Sequence, residues 1–188
     1  PDGQLLKAGL IGCGGRGCGA AANFLDAGPN LRIVALADVF EDRVTEARRL
    51  MKERGQDIPD SRCYTGFDAF QKLIASDVDV VLHATPPHFR PMHMAAAVDA
   101  RKHIFLEKPV AVDVPGVLAV MQTAERGTSQ GLSIMTGTQL RREPGGRRPA
   151  LDTVIDEDDR AAVEGDRVVT SGAHRCDRRL RERWTARS

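Results

Sequence analysis

The sequence holds no apolar run that approaches the roughly 20 residues a membrane span requires. It also lacks an excess of charge of one sign: 27 Lys and Arg against 26 Asp and Glu leave a formal net charge of +1. That balance removes the usual reason to expect nucleic acid or an anionic membrane as a partner. The first residues, Pro1-Asp2-Gly3-Gln4, carry neither the basic nor the apolar segment of an export signal. The reading is therefore a cytoplasmic protein; because the chain opens on Pro1 and not on Met, a removed signal stays an alternative. The four cysteines, Cys13, Cys18, Cys63 and Cys176, form no C-x-x-C pair and no regular framework, so reduced thiols are expected. A thiol near a helix start is open to activation, but Cys18 is read as a small buried residue. His83, His88 and His93 recur every five residues, a spacing that belongs to no helical face. They are expected on a strand end, in a loop and on a helix, and no metal site is expected of them.

What is abundant is glycine, in one place. The stretch "GLIGCGGRGCGA" at residues 9–20 holds six of the 18 glycines in the chain, directly behind the first apolar run. Apolar runs and helical patterns then alternate. Residues 5–11 read as a strand, 16–27 as a helix closed by Gly28-Pro29, and "LRIVALAD" as a second buried strand. A helix follows with Val44, Ala47 and Met51 on one face, ended by Gly55. A short strand near Cys63 and Tyr64 leads to "GFDAFQKLIA", where Phe67, Phe70 and Ile74 are placed on one stripe. "VDVVLHAT" is a strand, a helix follows Pro91, and "HIFLE" is the next strand. Val114, Val117, Leu118 and Met121 mark a further helix that Asp113 caps, before a last strand in "LSIMTGT". Alternating strand and helix with nearly continuous apolar strands predicts an α/β fold: a Rossmann-type, doubly wound parallel sheet covered on both faces.

Gly12-Cys13-Gly14-Gly15-Arg16-Gly17 fits G-x-G-x-x-G and lies between a predicted strand and a predicted helix. In that context Gly12 permits the tight turn, Gly14 lets the backbone approach a pyrophosphate, and Gly17 lets the helix pack on the strand. Gly15 and Arg16 belong to the same phosphate-facing turn, at the positive end of the helix. Asp38 lies at the end of the second strand, 21 residues after Gly17. A carboxylate there accepts from the adenosine ribose hydroxyls and repels a 2′-phosphate, so the expected cofactor is NAD in preference to NADP.

Further along, "ATPPHF" and "ARKHIFLEKPVAVD" join "LIGCGGRG" and "ALADVF" in an order that resembles the Gfo/Idh/MocA family of oxidoreductases, over about residues 5–140. The resemblance implies a nicotinamide-dependent enzyme that acts on the CH-OH group of a sugar, cyclitol or related polyol. It assigns Lys108 the role of proton relay beside the nicotinamide, with Glu107 orienting that lysine and Pro109 fixing the turn. A lysine partly desolvated at the carboxyl edge of a sheet suits that task. Thr85 and Pro86 resemble the family's residues along the cofactor, and His88 follows in a loop expected to face the same crevice. Two departures stand out. Arg101 replaces the usual Gly in a position expected to be left-handed, and Arg90 stands where many members have His, with no role carried onto it. A branch of the family uses NAD transiently to hydrolyse glycosides, and that origin stays an alternative, as does a binding-only remnant.

Composition changes after residue 140. Residues 141–188 hold 12 Arg and no Lys, 22 charged residues in 48, and a single aromatic, Trp184. Such a segment buries too little apolar surface to offset its ordering entropy. Two units are therefore expected: a dinucleotide-binding domain at 1–140, and an Arg-rich, disordered tail at 141–188 with one short helix at 151–155. The family's second α+β domain is expected to be missing or truncated, through a reading-frame change near residues 141–146, with a natural disordered extension as the alternative. "GAHRCD" at residues 172–177 matches a family signature weakly, but Thr170 replaces the expected Asp and His174 is given no catalytic role. Family members form homo-oligomers, a state not carried over to a chain without the second domain. The chain alone is expected to bind nucleotide without turnover.

Overall fold

The computed structural model describes residues 3–137. The expectations for the segment beyond, including the short helix, Cys176 and His174, lie outside the described residues. Within them the chain runs β1 (Leu6–Ile11), α1 (Gly15–Asp26), β2 (Leu31–Asp38), α2 (Glu41–Glu53), then β3 (Cys63–Thr65) and α3 (Ala69–Ala75). It continues through β4 (Val80–His83), α4 (Arg90–Asp99), β5 (His103–Glu107), α5 (Val114–Ser129) and β6 (Ile134–Gly137). The six strands form one sheet in the order β3-β2-β1-β4-β5-β6, with every neighbouring pair parallel. Strand order reverses direction between β1 and β4, and a crevice at the carboxyl ends of those strands is where doubly wound sheets bind ligands.

The apolar strands divide their side chains between two cores, as a two-residue period requires. Leu10, Ile33, Leu36 and Leu82 pack with Phe24 of α1 and Val44, Ala47 and Met51 of α2. Ile11, Val81, Ile104 and Leu106 pack on the other face with α3, α4 and α5. The expected α2 stripe is thus the buried one. The α3 stripe holds in part, with Phe70 and Ile74 buried. Phe67 precedes α3 and is 77% exposed, because the chain turns at Gly66 (φ +108°) and the helical period starts only at Ala69. Helix α5 forms as expected, with the Asp113 carboxylate accepting from the Gly116 N–H at 2.8 Å. Its buried face, however, is Val120, Thr123, Ala124 and Gly127, while Val114, Val117 and Leu118 are exposed. Small residues decide this orientation: a Cβ on Gly127 would lie 2.6 Å from Ile134 Cδ1, so only that side packs closely on the sheet.

Two glycines set the join between β1 and α1. Gly12 has φ +94°, and a Cβ there would come within 2.6 Å of the Thr85 amide nitrogen. At Gly17 a Cβ would come within 1.8 Å of the Gly12 carbonyl oxygen. Arg101, between α4 and β5, takes the expected left-handed conformation at φ 57°.

His83 at the end of β4 and His93 on α4 are buried, with ring centroids 5.9 Å apart, and the Phe70 ring stacks on His93 at 4.0 Å. Burial pushes the His83 pKa down to about 3, with repulsion from His93 and Arg90 acting in the same direction. Burial likewise holds His93 at about 4. His88 lies in the loop between them, so the three histidines occupy the expected strand end, loop and helix.

Gly17→Ala should destabilise the domain by ~3 kcal/mol or more, because the clash is with backbone and cannot be relieved by a rotamer change. Gly15→Ala, with nothing within 4 Å of its Cβ, should leave the melting temperature nearly unchanged. Equal melting temperatures for the two variants would contradict the packing described. The histidines generate a second expectation. Both bind protons more weakly in the folded than in the unfolded chain, whose imidazoles titrate near ~6.5. Stability should therefore fall as pH drops below ~6.5, by up to about 1.4 kcal/mol per pH unit for each histidine until its folded pKa is reached. His83→Leu should flatten this acid limb in urea unfolding, and an unchanged pH slope would contradict the assignment.

Candidate functional site

Helix α1 begins at a glycine. Its N-cap, Gly14, offers no side chain, and no side-chain hydrogen bond caps the helix. The first N–H groups of an α-helix have no intrahelical partner, so this end is left to hold an anion with its backbone donors. Space is available there. A Cβ on Gly14 would meet only Arg43 Nη1, at 3.2 Å, and one on Gly15 would meet nothing within 4 Å. The loop is a cradle that a side chain would fill, and it fits the pyrophosphate of a dinucleotide.

Asp38, half-buried at the end of β2, stands beside that loop. Its Oδ2 accepts from the Cys13 N–H at 2.7 Å and its Oδ1 from the Phe40 N–H at 3.1 Å. Each carboxylate oxygen has further lone-pair capacity, so ribose hydroxyls can be accepted without breaking either bond. Arg43 lies over the Phe40 ring, 5.3 Å from its centroid, and so borders both Gly14 and the Asp38 turn. No feature of the sequence singled Arg43 out from the other charged residues of α2.

Across the switch point, Thr85 is buried and its Oγ1 has no partner among the described residues. Pro86 and His88 are exposed, and the His88 ring meets Phe89 edge-on at 5.2 Å. Glu107 ends β5 with its side chain 1% exposed. Its Oε1 accepts from Arg16 Nε at 2.9 Å and Nη2 at 2.6 Å. The carboxylate expected to orient Lys108 also ties β5 to α1, because the guanidinium fork of Arg16 reaches it. Lys108 is exposed, so the partial desolvation expected of it is not present among the described residues. The Lys108–Pro109 peptide is cis.

Arg90 is the residue that sequence reasoning missed. It opens α4, is 5% exposed, and donates to the carbonyls of Thr85, Glu107 and Pro109. Its only sequence signal was an arginine preceding Pro91 where the family resemblance leads to histidine. The thiols follow the bland reading: Cys13, Cys18 and Cys63 are free, and burial raises each pKa, with the Asp38 charge adding to the effect at Cys13. Helix α1 therefore does not activate Cys18.

Among the described residues no cluster of His, Cys, Asp and Glu is placed to hold a metal ion, and no helix is long and apolar enough to cross a membrane. A cavity of about 320 Å³ opens at the opposite, amino edge of the sheet, lined by Lys7, Arg32, Arg62 and Asp77 among others. Its Lys7 and Arg62 are both paired with Asp77, and it lies away from the glycine loop.

Residues 6–134 match the model of an oxidoreductase family described as having an NAD-binding Rossmann fold. Glycosyl hydrolase family 109 protein 1 of Bacteroides fragilis is 31% identical over 128 residues, covering 67% of this chain and 27% of that protein. The corresponding protein of Saccharopolyspora erythraea is 31% identical over 124 residues. The chain thus spans about a quarter of the length of the curated relatives it matches, 27% of each of these two. Among solved structures, apo scyllo-inositol dehydrogenase from Lactobacillus casei aligns with a TM-score of 0.64 at 24% identity, over 80% of this chain and 41% of that one. The same enzyme with bound NAD(H) and scyllo-inositol aligns at 0.61, over 74% and 37% of the two chains. At 24% identity these two likenesses speak for the fold. With the glycine loop, the switch-point crevice and the family match in agreement, the chain belongs to the Gfo/Idh/MocA oxidoreductase family and carries its NAD-binding Rossmann domain.

Proposed function

We propose that this domain serves an oxidoreductase that moves hydride between a nicotinamide cofactor and a sugar- or cyclitol-type alcohol. The observation that carries this reading is one convergence at the carboxyl edge of the sheet. There the uncapped glycine loop, the Asp38 carboxylate and Lys108 stand at the ends of β1, β2 and β5, around the switch point. NAD, when bound, supplies the hydride acceptor. The residues of this chain do the rest. Backbone N–H groups at Gly14, Gly15 and Arg16 hold the pyrophosphate, and Asp38 accepts from the adenosine ribose. Thr85, Pro86 and His88 flank the cofactor between the loop and β5. In its neutral amine form Lys108 would take the hydroxyl proton at Nζ as the carbinol carbon gives up hydride, and Pro109 shapes the turn that presents it.

Lys108 is exposed, with no described residue closing over it, and this supports binding without turnover by residues 3–137 alone. An open face leaves substrate unpositioned and hydride transfer exposed to water. A second reading, cleavage of glycosides through transient oxidation at the same site, is favoured by the name of the curated relatives, glycosyl hydrolase family 109. Net accumulation of NADH with polyols separates the first reading from the second, in which an aryl glycoside is cleaved with none.

Two variants test the nucleotide assignment by calorimetric titration. The wild type should bind NAD at least ~10-fold more tightly than NADP, and Asp38→Asn should weaken NAD by a similar factor, since a hydrogen bond to a charged group is worth about 1.5–3 kcal/mol. Tighter binding of NADP by the wild type would overturn the role given to Asp38. Gly14→Val should abolish binding while leaving the melting temperature close to wild type, because its neighbour is the movable end of Arg43. Unchanged NAD affinity in this folded variant would show that the loop is merely structural.

A further inference from the structure

Arginine carries five donors and no acceptor, and burying its charge is costly unless those donors are met. Arg90 is buried, and the groups that meet it are neutral. Its Nε donates to the Thr85 carbonyl at 2.8 Å, and its Nη1 to the Glu107 carbonyl at 2.5 Å and to the Pro109 carbonyl. The acid that most influences it is Glu107, whose carboxylate is already paired with Arg16. So a guanidinium is held in the interior by three backbone oxygens that belong to two different strand ends.

Those three oxygens are not scattered. Thr85 lies just beyond β4, and Glu107 and Pro109 are the residues on either side of Lys108. One rigid planar group therefore pins the chain immediately before and after the lysine, and ties that point to the loop after β4. With both flanking carbonyls held, the Lys108 Cα is fixed and only side-chain torsions remain free. A histidine at position 90 has at most two N–H donors and only when protonated, so it cannot reproduce a three-carbonyl clamp. A lysine would carry the charge on a compact ammonium without the planar fork.

We infer that Arg90 is the positioning residue for Lys108, setting where its amine stands relative to the cofactor through the carbonyls of Thr85, Glu107 and Pro109. This rests on the reading of Lys108 as the proton relay. Arg90 itself touches neither cofactor nor substrate. Its effect is geometric, and the loss of such supporting groups typically costs about tenfold or more in the function they support.

The test uses the full chain with its five lysines (Lys7, Lys52, Lys72, Lys102 and Lys108) carbon-13-dimethylated and followed by NMR, the Lys108 signal being assigned with Lys108→Arg. In Arg90→Lys, the added lysine being identified by comparison with wild type, the NAD-induced shift of the Lys108 signal should fall by at least half, while the signals of Lys7, Lys52 and Lys72 stay in place. A role in stability alone would lower the melting temperature and leave the NAD-induced shift of Lys108 at its wild-type size, and that result would overturn the inference. Should Arg90→Lys fail to fold, the wild type still decides. The Arg90 Nε–H should exchange with solvent far more slowly than those of exposed arginines such as Arg54, and exchange at the same rate would refute the clamp. Failure of the wild type to bind NAD would sink the nucleotide reading separately, since the arginine exchange tests the clamp without cofactor.

Discussion

The approach of the Gly17 Cα to the Gly12 carbonyl sets how closely α1 can lie over the end of β1. A Cβ at Gly17 would stand 1.8 Å from that oxygen, closer than any non-bonded pair tolerates. Because the helix can come so near, its first turn faces directly over the carboxyl edge of the sheet. The same turn requires a positive φ at Gly12 and brings that residue against the Thr85 amide of the neighbouring strand end. Three consequences follow from one packing constraint. The start of α1 lies at the carboxyl edge of the sheet, the Cys13 N–H donates to Asp38 at 2.7 Å, and Gly12 abuts the loop after β4.

Charge is arranged around this frame in a way that links the strand ends to one another. Glu107 is buried, and its carboxylate accepts from the Arg16 guanidinium. Arg16, which satisfies it, comes from the glycine loop itself, and the contact spans 91 residues of sequence. Arg90 meets the same residue through its backbone oxygen. The loop that would hold phosphate and the strand end that presents Lys108 are thereby coupled through a single acidic residue. Strand β5 is held from both sides of its terminal residue.

Much of this was legible in the chain before any coordinates. The two-residue and 3.6-residue periods located the strands and helices, and the glycine spacing placed the turn between β1 and α1 beside Asp38. Arg101 was expected to be left-handed because the family resemblance leads to glycine there, between helix and strand, and φ 57° agrees. The failures share a cause. Periodicity shows that a helix exists but not which of its faces is buried, and in α5 the small side of Ala124 and Gly127 won over Val114, Val117 and Leu118. At Phe67 the period was extended past a turn that breaks it. The Arg16–Glu107 pair and the Arg90 clamp depend on three-dimensional proximity between strand ends, which no local pattern encodes.

The central claim is that the glycine-rich edge of this sheet is a dinucleotide site. Nitrogen-15 amide spectra of the protein recorded during titration with NAD test it most directly. The account requires saturable shifts at residues 12–17, at Asp38 and at Thr85, with the amino-edge residues Lys7, Arg32 and Arg62 unmoved. Shifts confined to that amino edge, or none at saturating nucleotide, would contradict it.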